Sequence, residues 1–233
     1  MTLHFDSASR GQFRNDWLDS RHTFSFGEYH DPKRMGFRSL RVINEDLVTP
    51  GGGFATHGHR DMEIVTYVLE GALVHKDSLG NGSVIRPGEI QRMSAGTGIR
   101  HSEMNASHEA QVHFLQIWIE PNKSGHAPSY EQAPLNPDAG QNGFTPIASS
   151  NGGEGAISLN QDVSISVSKP RVEETVEVTL GKDRYGFLHI VAGHVEIDGK
   201  IYGAGDGLAF EGADVPFALT AQEPSEILFF NLT

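Results

Sequence analysis

A chain of 233 residues with 37% apolar residues, 27 glycines and 11 prolines has the composition of a folded protein rich in turns, and not of a disordered or collagen-like chain. Its formal net charge of −12, from 18 Lys and Arg against 30 Asp and Glu, disfavours direct binding to nucleic acid, because the phosphates would be repelled. The chain contains no cysteine, which excludes disulfides, cysteine zinc sites and a thiol nucleophile.

Residues 1–6 show no basic segment followed by an apolar run, so they do not resemble a signal peptide. No stretch of the sequence approaches the length of a membrane span. We therefore expect a cytoplasmic protein with no membrane as a partner.

Apolar residues in the first half of the chain alternate with a period of two, which is typical of β-strands. Glycine-rich turns separate these segments, and residues 79–82 have the composition of a hairpin turn. The predicted strands are residues 64–69, 72–77, 82–86, 89–93 and 111–119. Short strands at close spacing favour an antiparallel sandwich or barrel.

Residues 121–143 hold four prolines and few apolar residues, which is typical of a linker. Strand patterns resume at Phe144, and the segment around Gly193 resembles the segment around Gly71. The sequence therefore predicts an all-β protein made of two tandem antiparallel β-barrels. We expect residues 1–130 to form an N-terminal metal-binding barrel, residues 131–143 a linker, and residues 144–233 a C-terminal barrel without metal ligands.

His57 and His59 form a first pair of candidate metal ligands. Residues i and i+2 of a strand project to the same face, so both imidazoles would point together. Chance alone gives roughly 0.6 such His-x-His pairs in a chain of this composition, and a surface strand with two histidines is the alternative. This pair alone is weak support for a metal site.

His101 and Glu103 form a second pair with the same spacing, 42 residues after His59. That interval is long enough for three or four short strands that return the chain to the same end of a barrel. Two strands that each present two side chains to one interior point would supply three imidazoles and one carboxylate. This donor set suits Fe, Mn, Ni, Cu or Zn, and an octahedral metal would keep two positions for water or substrate.

The spacing of these residues resembles the two motifs of the cupin superfamily. The first motif is matched, with an early glutamate, by Gly51, His57, His59, Glu63 and Gly71. The second motif is matched by Gly98, His101 and Asn105, with Gly96 in place of the usual proline.

More narrowly, the chain is similar to the pirin family from about Trp17 to Glu120. Segments that carry the similarity are Trp17-Leu18-Asp19-Ser20, His22-Thr23-Phe24-Ser25-Phe26, His59-Arg60-Asp61-Met62-Glu63-Ile64 and Met93-Ser94-Ala95-Gly96-Thr97-Gly98-Ile99-Arg100-His101-Ser102-Glu103. The resemblance implies two tandem cupin barrels of jelly-roll type with one metal, held in the N-terminal barrel only. It implies that the metal ligands are His57, His59, His101 and Glu103.

Glu63 is not normally a ligand in pirins, so we predict that it orients a ligand or a water molecule. The alternative for Glu63 is a buried carboxylate bonded to backbone. The remaining histidines, His75 among them, are predicted not to bind metal, because none forms a second local pair.

The C-terminal barrel is expected to be structural. Alignment of Gly193 with Gly71 places Thr179 and Gly181 where His57 and His59 stand in the first barrel. Phe217 and Leu219 fall at the positions of His101 and Glu103, and an apolar pair there would fill the barrel interior.

The pirin resemblance implies quercetin 2,3-dioxygenase activity, with a flavonol and O2 as the small-molecule partners. The heterocyclic ring of the flavonol would open with release of CO, and Glu103 would take the proton of the flavonol hydroxyl. The metal would act as Lewis acid and template, with Fe(II) as first choice and Mn, Ni, Cu, Zn or Co as alternatives.

The alternative function is a metal- or redox-sensing regulator that binds a protein partner, because some pirins resemble such regulators. The fold does not separate the two functions, since cupins host many activities. An apolar pocket wide enough for a planar polyphenol would favour the oxygenase, whereas a shallow or blocked site would favour the regulator.

Overall fold

The computed structural model describes residues 2–153, 155–211 and 217–233. Position 1 of the predicted N-terminal barrel, and positions 154 and 212–216 of the predicted C-terminal barrel, lie outside the described residues. Within the described residues, no helix has the length and apolar character that crossing a membrane requires.

The described chain consists of strands and one short 3-10 helix, Ser7–Ser9. The strands are β1 (Thr2–Phe5), β2 (Gly11–Arg14), β3 (Leu18–His22), β4 (Leu40–Val48), β5 (Gly53–His59), β6 (Glu63–Glu70), β7 (Leu73–Asp77), β8 (Gly82–Ile85), β9 (Glu89–Ser94), β10 (Ile99–Asn105), β11 (Val112–Ile119), β12 (Ser129–Pro134), β13 (Thr145–Ser149), β14 (Ile157–Ser158), β15 (Ser164–Ser168), β16 (Thr175–Val178), β17 (Tyr185–Ala192), β18 (His194–Ile197), β19 (Lys200–Gly203), β20 (Gly207–Glu211), β21 (Phe217–Ala221) and β22 (Glu226–Leu232).

The first compact unit comprises Gly11–Leu135 and Asn151–Gln161. Its long antiparallel sheet runs in the order β12-β9-β6-β11-β4-β3-β2, and its short antiparallel sheet in the order β5-β10-β7-β8. Because strand side chains alternate between faces, every second residue of β3 is buried. Apolar residues from both sheets share one core, made of Leu18, Val48, Val68, Leu73, Ile85, Val112 and Phe114.

The second compact unit comprises residues 2–10, Asn136–Ser150 and the described part of Asp162–Thr233. Its long sheet contains β1-β20-β17-β22-β15-β13 in that order, and its short sheet runs β16-β21-β18-β19. A core cluster of this unit, apolar apart from one tyrosine hydroxyl, contains Val176, Val178, Leu180, Leu188, Ile190, Val195, Ile197, Tyr202, Leu208, Phe210, Leu219, Ile227 and Phe229.

The two units repeat the same strand order. The short sheets β5-β10-β7-β8 and β16-β21-β18-β19 correspond strand for strand, and so do β9-β6-β11-β4 and β20-β17-β22-β15 of the long sheets. The prediction of an all-β fold with two tandem antiparallel barrels is confirmed.

The unit boundaries differ from the predicted ones in three places. β1, predicted in the first barrel, pairs with β20 and takes the edge position that β12 takes beside β9 in the first unit. Residues 131–134, predicted as linker, belong to β12, and residues 151–161, predicted in the second barrel, belong to the first unit. β9 and β20 each need a neighbour for their outer backbone groups, and local composition does not indicate which distant segment supplies it.

Candidate metal centre

The two predicted ligand pairs lie on neighbouring strands. β5 and β10 pair antiparallel with His57 directly opposite His101, and the register shifts between His101 and Glu103. Gly53, at the start of β5, has no room for a side chain, because a Cβ there would overlap the carbonyl oxygen of Glu103. β10 keeps a regular register with β7 from His101 to Glu103, so the extra residue of the bulge lies on β5 and both predicted ligands of β10 face the same side.

Ring nitrogens of the three predicted histidines converge on one point. Nε2 of His101 lies 3.0 Å from Nε2 of His59 and 3.1 Å from Nε2 of His57. Burial, and after it the charges of neighbouring histidines, lowers the pKa of His59 to about 4 and the pKa of His101 to about 2. Both rings are therefore neutral at pH 7, which is the state in which histidine binds metals.

Glu103 is buried beside this cluster but does not join all three histidines. Its carboxylate lies within 4.8 Å of ring nitrogens of His101 and His75, whereas His57, His59 and His101 form a separate group at that spacing. Gln116 Nε2 donates a hydrogen bond to Oε2 at 2.7 Å. Among the described residues, Oε1 has no hydrogen-bond partner of normal geometry.

Burial raises the pKa of Glu103 to about 7, against the lowering effect of the hydrogen bond from Gln116, and the charge of nearby Asp46 raises it further. A glutamate with an unperturbed pKa is ionised at neutral pH. The protein without a bound cation instead leaves Glu103 partly protonated near pH 7, and an adjacent cation would restore the ionised form.

His75 and Asp77 lie behind His101. They belong to β7, which pairs with β10 so that Asp77 stands opposite His101. Nε2 of the fully buried His75 lies 3.2 Å from Oδ2 of Asp77, and its Nδ1 lies 3.5 Å from Nδ1 of His101. His75-Lys76-Asp77 is itself an i, i+2 pair of ligand types, and this signal was available in the sequence although His75 was predicted to form no such pair.

The hydrogen bonds of His75 define its tautomer. Burial lowers the pKa of His75, against the opposing effect of Asp77, so the ring is neutral. Burial raises the pKa of Asp77, but hydrogen bonds from Asn81 and His75 outweigh it and leave the pKa below its ordinary value. His75 therefore donates from Nε2 to a carboxylate, and its Nδ1 accepts the Nδ1 hydrogen of His101.

The donor set fits a divalent metal ion. Nδ1 of His57 donates to the carbonyl oxygen of Ala55 at 2.8 Å, so His57, like His101, presents an Nε2 lone pair without a hydrogen. Two such lone pairs 3.1 Å apart repel each other unless a cation lies beside them. Three imidazole nitrogens and the open Oε1 of Glu103 are the ligand types that a first-row transition metal prefers.

The hydrogen bonds of Glu63 in the described structure lie away from the four candidate ligands. Its Oε2 accepts hydrogen bonds from the Ser94 hydroxyl at 2.8 Å and from the backbone N–H of Asn160 at 3.1 Å. Of the hydrogen bonds between described residues, none joins Glu63 to His57, His59, His101 or Glu103. This arrangement agrees with the alternative for Glu63, a buried carboxylate bonded to backbone. The chain turns between His59 and Glu63, which lie on the separate strands β5 and β6, so the alternation of side chains along β5 does not extend to Glu63.

A cavity of about 650 Å³ opens onto the centre and is lined by His57, His59 and Glu103. Much of its wall is aromatic, formed by Phe13, Trp17, Phe26, Tyr29, Phe54 and Trp118. Trp118 packs edge-on against His59, with ring centroids 4.9 Å apart, and Phe26 packs edge-on against Trp118 at 5.3 Å. The volume lies in the range of sites that enclose a small organic ligand.

The corresponding place in the second unit is apolar. β16 pairs with β21, so that Val176 stands opposite Leu219 and Val178 opposite Phe217. Leu219 lies in the apolar core and Phe217 packs against it, but the position of His57 is taken by Val178, which stands opposite Phe217, and not by Thr179 as predicted. Both clusters of three or more ligand side chains found among the described residues lie in the first unit.

Comparison with known protein families gives two matches that follow one another along the chain. The model described as Pirin matches residues 5–119, and the model described as Quercetinase C-terminal cupin domain matches residues 146–232. The quercetin 2,3-dioxygenase of Escherichia coli K12 is 43% identical over 223 residues, which cover 96% of this chain and 95% of that protein. A pirin-like protein of Caulobacter vibrioides is 40% identical over 216 residues and 92% of each chain.

Solved structures show the same architecture. The bacterial pirin YhhW of Escherichia coli in complex with nickel(II) superposes with a TM-score of 0.93 at 40% identity, covering 100% of this chain and 99% of that one. A quercetin 2,3-dioxygenase of Acinetobacter baumannii superposes with a TM-score of 0.82 at 18% identity over 99% of this chain and 78% of that one, which shows a shared fold alone.

Two antiparallel barrels in tandem, with the histidines of neighbouring strands clustered in the first, define a bicupin. Within that class, the chain belongs to the pirin family.

Proposed function

We propose that this chain is a metal-dependent dioxygenase that opens the heterocyclic ring of quercetin-like flavonols with O2 and releases CO. The observation that carries the proposal is the cavity of about 650 Å³, whose aromatic wall adjoins His57, His59 and Glu103. A planar polyphenol suits such a volume, and aromatic side chains bind the faces and edges of its rings. Relatives named quercetin 2,3-dioxygenase support the same activity.

One divalent metal is the proposed cofactor, held by His57, His59, His101 and Glu103. Fe(II) is proposed first, and Mn, Ni, Cu, Zn or Co are alternatives of the same class. The nickel(II) complex of the relative YhhW supports an ion of this class. When bound, the metal would supply Lewis-acid activation of the flavonol hydroxyl and a template for the two reactants.

Glu103 would accept the proton that the flavonol hydroxyl loses. Trp118 Nε1 can only donate, and it lies 3.3 Å from Oε1 of Gln116, so the amide of Gln116 turns its Nε2 towards Glu103. That hydrogen bond holds Oε2 of Glu103 and leaves Oε1 for a proton or a metal. The aromatic wall meanwhile holds the ring system and excludes water from the reacting end.

The alternative, a metal- or redox-sensing regulator with a protein partner, would be favoured by a shallow or blocked site. The cavity is instead large, walled by aromatic side chains and continuous with the proposed ligands. These properties favour a small-molecule substrate.

Reconstitution under anaerobic conditions tests the proposal. Metal-free protein is loaded with Fe(II), Mn(II), Co(II), Ni(II), Cu(II) or Zn(II), and O2 is then admitted with quercetin. We expect loss of flavonol absorbance, oxygen uptake and CO release in equal amounts with at least one metal. His59→Ala should abolish these signals, whereas His194→Ala, which alters an exposed histidine of the second unit, should retain them. Absence of oxygen uptake with every metal would contradict the proposal and favour the regulator.

A further inference from the structure

The second unit contains a cavity of its own, with a volume of about 590 Å³. β15, β16 and β22 supply most of its wall, through Ser166, Val178 and Asn231 among others. These strands correspond to β4, β5 and β11, which line the cavity of the first unit. The second barrel therefore has a cavity at the matching place, with Val178 standing where His57 stands in the first barrel. Its volume lies in the range of sites that enclose a small organic ligand.

Two serines on one strand present hydroxyl groups to this cavity. Ser164 and Ser166 stand on β15 with i, i+2 spacing, so both face the cavity. Among the described residues, neither hydroxyl has a hydrogen-bond partner. Ser166 is only 7% exposed, yet it lines the cavity, whereas the hydroxyl of Ser168, two residues further on, is inaccessible. Buried polar groups normally have partners, and a bound ligand can supply one to Ser166.

Asn231 adds a hydrogen-bond donor whose orientation is fixed. Arg184 can only donate, and its Nε lies 2.7 Å from Oδ1 of Asn231. The side-chain amide therefore keeps its oxygen towards Arg184 and leaves its NH2 group for another partner. Asn231 lines the cavity and stands opposite Ser164 on the paired strand. The wall thus combines hydroxyl groups, which both donate and accept, with an amide donor.

The other side chains of the wall favour a neutral ligand with one apolar face. Phe144 and Phe229 both line the cavity, with ring centroids 5.5 Å apart. The described residues of the wall include no Lys, Arg or His, and the carboxylates of Glu174 and Glu177 would repel an anion. Both carboxylates are more exposed than the buried Ser166, so water weakens their attraction for a cation.

We propose that this cavity of the second unit binds a neutral polyhydroxylated ligand, a monosaccharide or a cyclic polyol, without a metal. The hydroxyl groups of such a ligand can donate to and accept from Ser164, Ser166 and Asn231. Its apolar C–H face can pack on the rings of Phe144 and Phe229. This binding is separate from the proposed dioxygenase activity and does not depend on it.

Titrations of the whole chain followed in 15N–1H spectra test the proposal, with the protein loaded with the diamagnetic ion Zn(II). The probes are the methyl glycosides of glucose, galactose, mannose and xylose, and myo-inositol. Tetrahydropyran-2-methanol, which has the sugar ring but one hydroxyl group, is the control ligand. We expect at least one polyhydroxylated probe to shift the signals of the Asn231 NH2 group and of β15, and the control ligand to shift neither.

Variants of the wall separate a built site from general surface contact. Ser166→Ala removes one accessible hydroxyl and should weaken binding of the shifting probe roughly fivefold, the effect of one neutral hydrogen bond. Ser168→Ala is the matched control, because Ser168 lies on the same strand with an inaccessible hydroxyl, and it should leave the affinity unchanged. Asn231→Asp keeps the acceptor for Arg184 but removes the NH2 donor, and it should weaken binding at least as much as Ser166→Ala.

Three results would overturn the proposal. The first is the absence of shifts with every polyhydroxylated probe, and the second is a set of shifts confined to the first unit. The third is a probe affinity in Ser166→Ala and Asn231→Asp equal to that of the wild type. Loss of binding in Ser168→Ala to the same extent as in Ser166→Ala would likewise show that the effect is structural and that Ser166 does not contact the probe.

Discussion

Nδ1 of His75 and Nδ1 of His101 face each other at 3.5 Å across the paired strands β7 and β10. Because Asp77 accepts a hydrogen bond from Nε2 of His75, the hydrogen between the two Nδ1 atoms belongs to His101. His101 is thereby kept in the tautomer whose Nε2 lone pair points to His57 and His59. A carboxylate, through an intervening imidazole, thus orients a proposed metal ligand.

Removing the hydrogen-bond acceptor behind His101 should weaken metal binding. His75→Phe keeps an aromatic ring beside Tyr130, whose ring centroid lies 4.9 Å from that of His75, but it cannot accept from His101. We expect metal affinity, measured by competition with a chelator, to fall roughly 10- to 100-fold. In 15N spectra of the metal-free protein, His101 should change from one tautomer to a mixture. His113→Phe, on the strand β11, is the control, and an unchanged affinity in His75→Phe would refute the role of His75.

Elemental analysis should find about one equivalent of divalent metal per chain. The motivating observation is that, in the described part of the chain, the clusters of ligand side chains lie in the first unit and the corresponding place in the second is apolar. His101→Ala removes the nitrogen common to both clusters and should lose the metal. His194→Ala, in the second unit, should retain it. Two tightly bound equivalents in the wild type would show that a second site exists.

The ligand pairs could be predicted from the sequence because i, i+2 spacing requires only strand geometry. β5 and β10 contain the two pairs, and their direct pairing sets His57 opposite His101. Strand geometry does not relate Glu63 to His59 in the same way, because Asp61 has a φ of 48° and the chain leaves the strand between them. The position of His75 depends on which strand pairs with β10, and local spacing does not encode that long-range contact.

The barrels themselves were also predictable, since period-two segments separated by glycine turns indicate short antiparallel strands. The placement of β1 could not be predicted. Any short strand with a free edge can pair with the backbone groups of β20, and the local sequence pattern does not show which strand does so. Thr179 was aligned with His57 one residue too late, since Val178 stands opposite Phe217 as His57 stands opposite His101. Gly193 follows the end of β17, and the length of the loop between β16 and β17 is free to vary.

The buried carboxyl group of Asp46 should make the stability of the metal-free protein depend on pH. Burial raises its pKa from 3.8 to about 7, so its contribution to stability is fully present below pH 3.8 and is lost as pH rises towards 7. Asp46→Asn abolishes this loss. The variant should therefore gain stability relative to the wild type between pH 4 and pH 7, with a slope of up to about 1.4 kcal/mol per pH unit.

Urea unfolding of both proteins at several pH values measures this difference in stability. His59 and His101 have lowered pKa values and therefore reduce stability on acidification, but both proteins contain them, so their contributions cancel in the comparison. Asp16→Asn alters an exposed carboxyl group and should show no such trend. A stability difference between Asp46→Asn and the wild type that is constant from pH 4 to pH 7 would contradict the prediction.

Glu103→Gln should separate metal binding from proton transfer. The amide has the shape of the carboxylate and one oxygen, but it lacks the basicity needed to take a proton from the flavonol hydroxyl. Gln116 donates a hydrogen bond on the Oε2 side, so the oxygen of the new side-chain amide will occupy that side and its NH2 group will occupy the side of Oε1. This orientation weakens metal binding, but the three histidine ligands remain. Turnover is therefore measured per bound metal, and we expect it to fall roughly 100-fold or more. The control variant is Glu45→Gln, because Glu45 lies in the same barrel but is bonded to His113. Its turnover per bound metal should equal that of the wild type. Comparable turnover per bound metal in Glu103→Gln would exclude Glu103 as the base and leave it as a ligand alone.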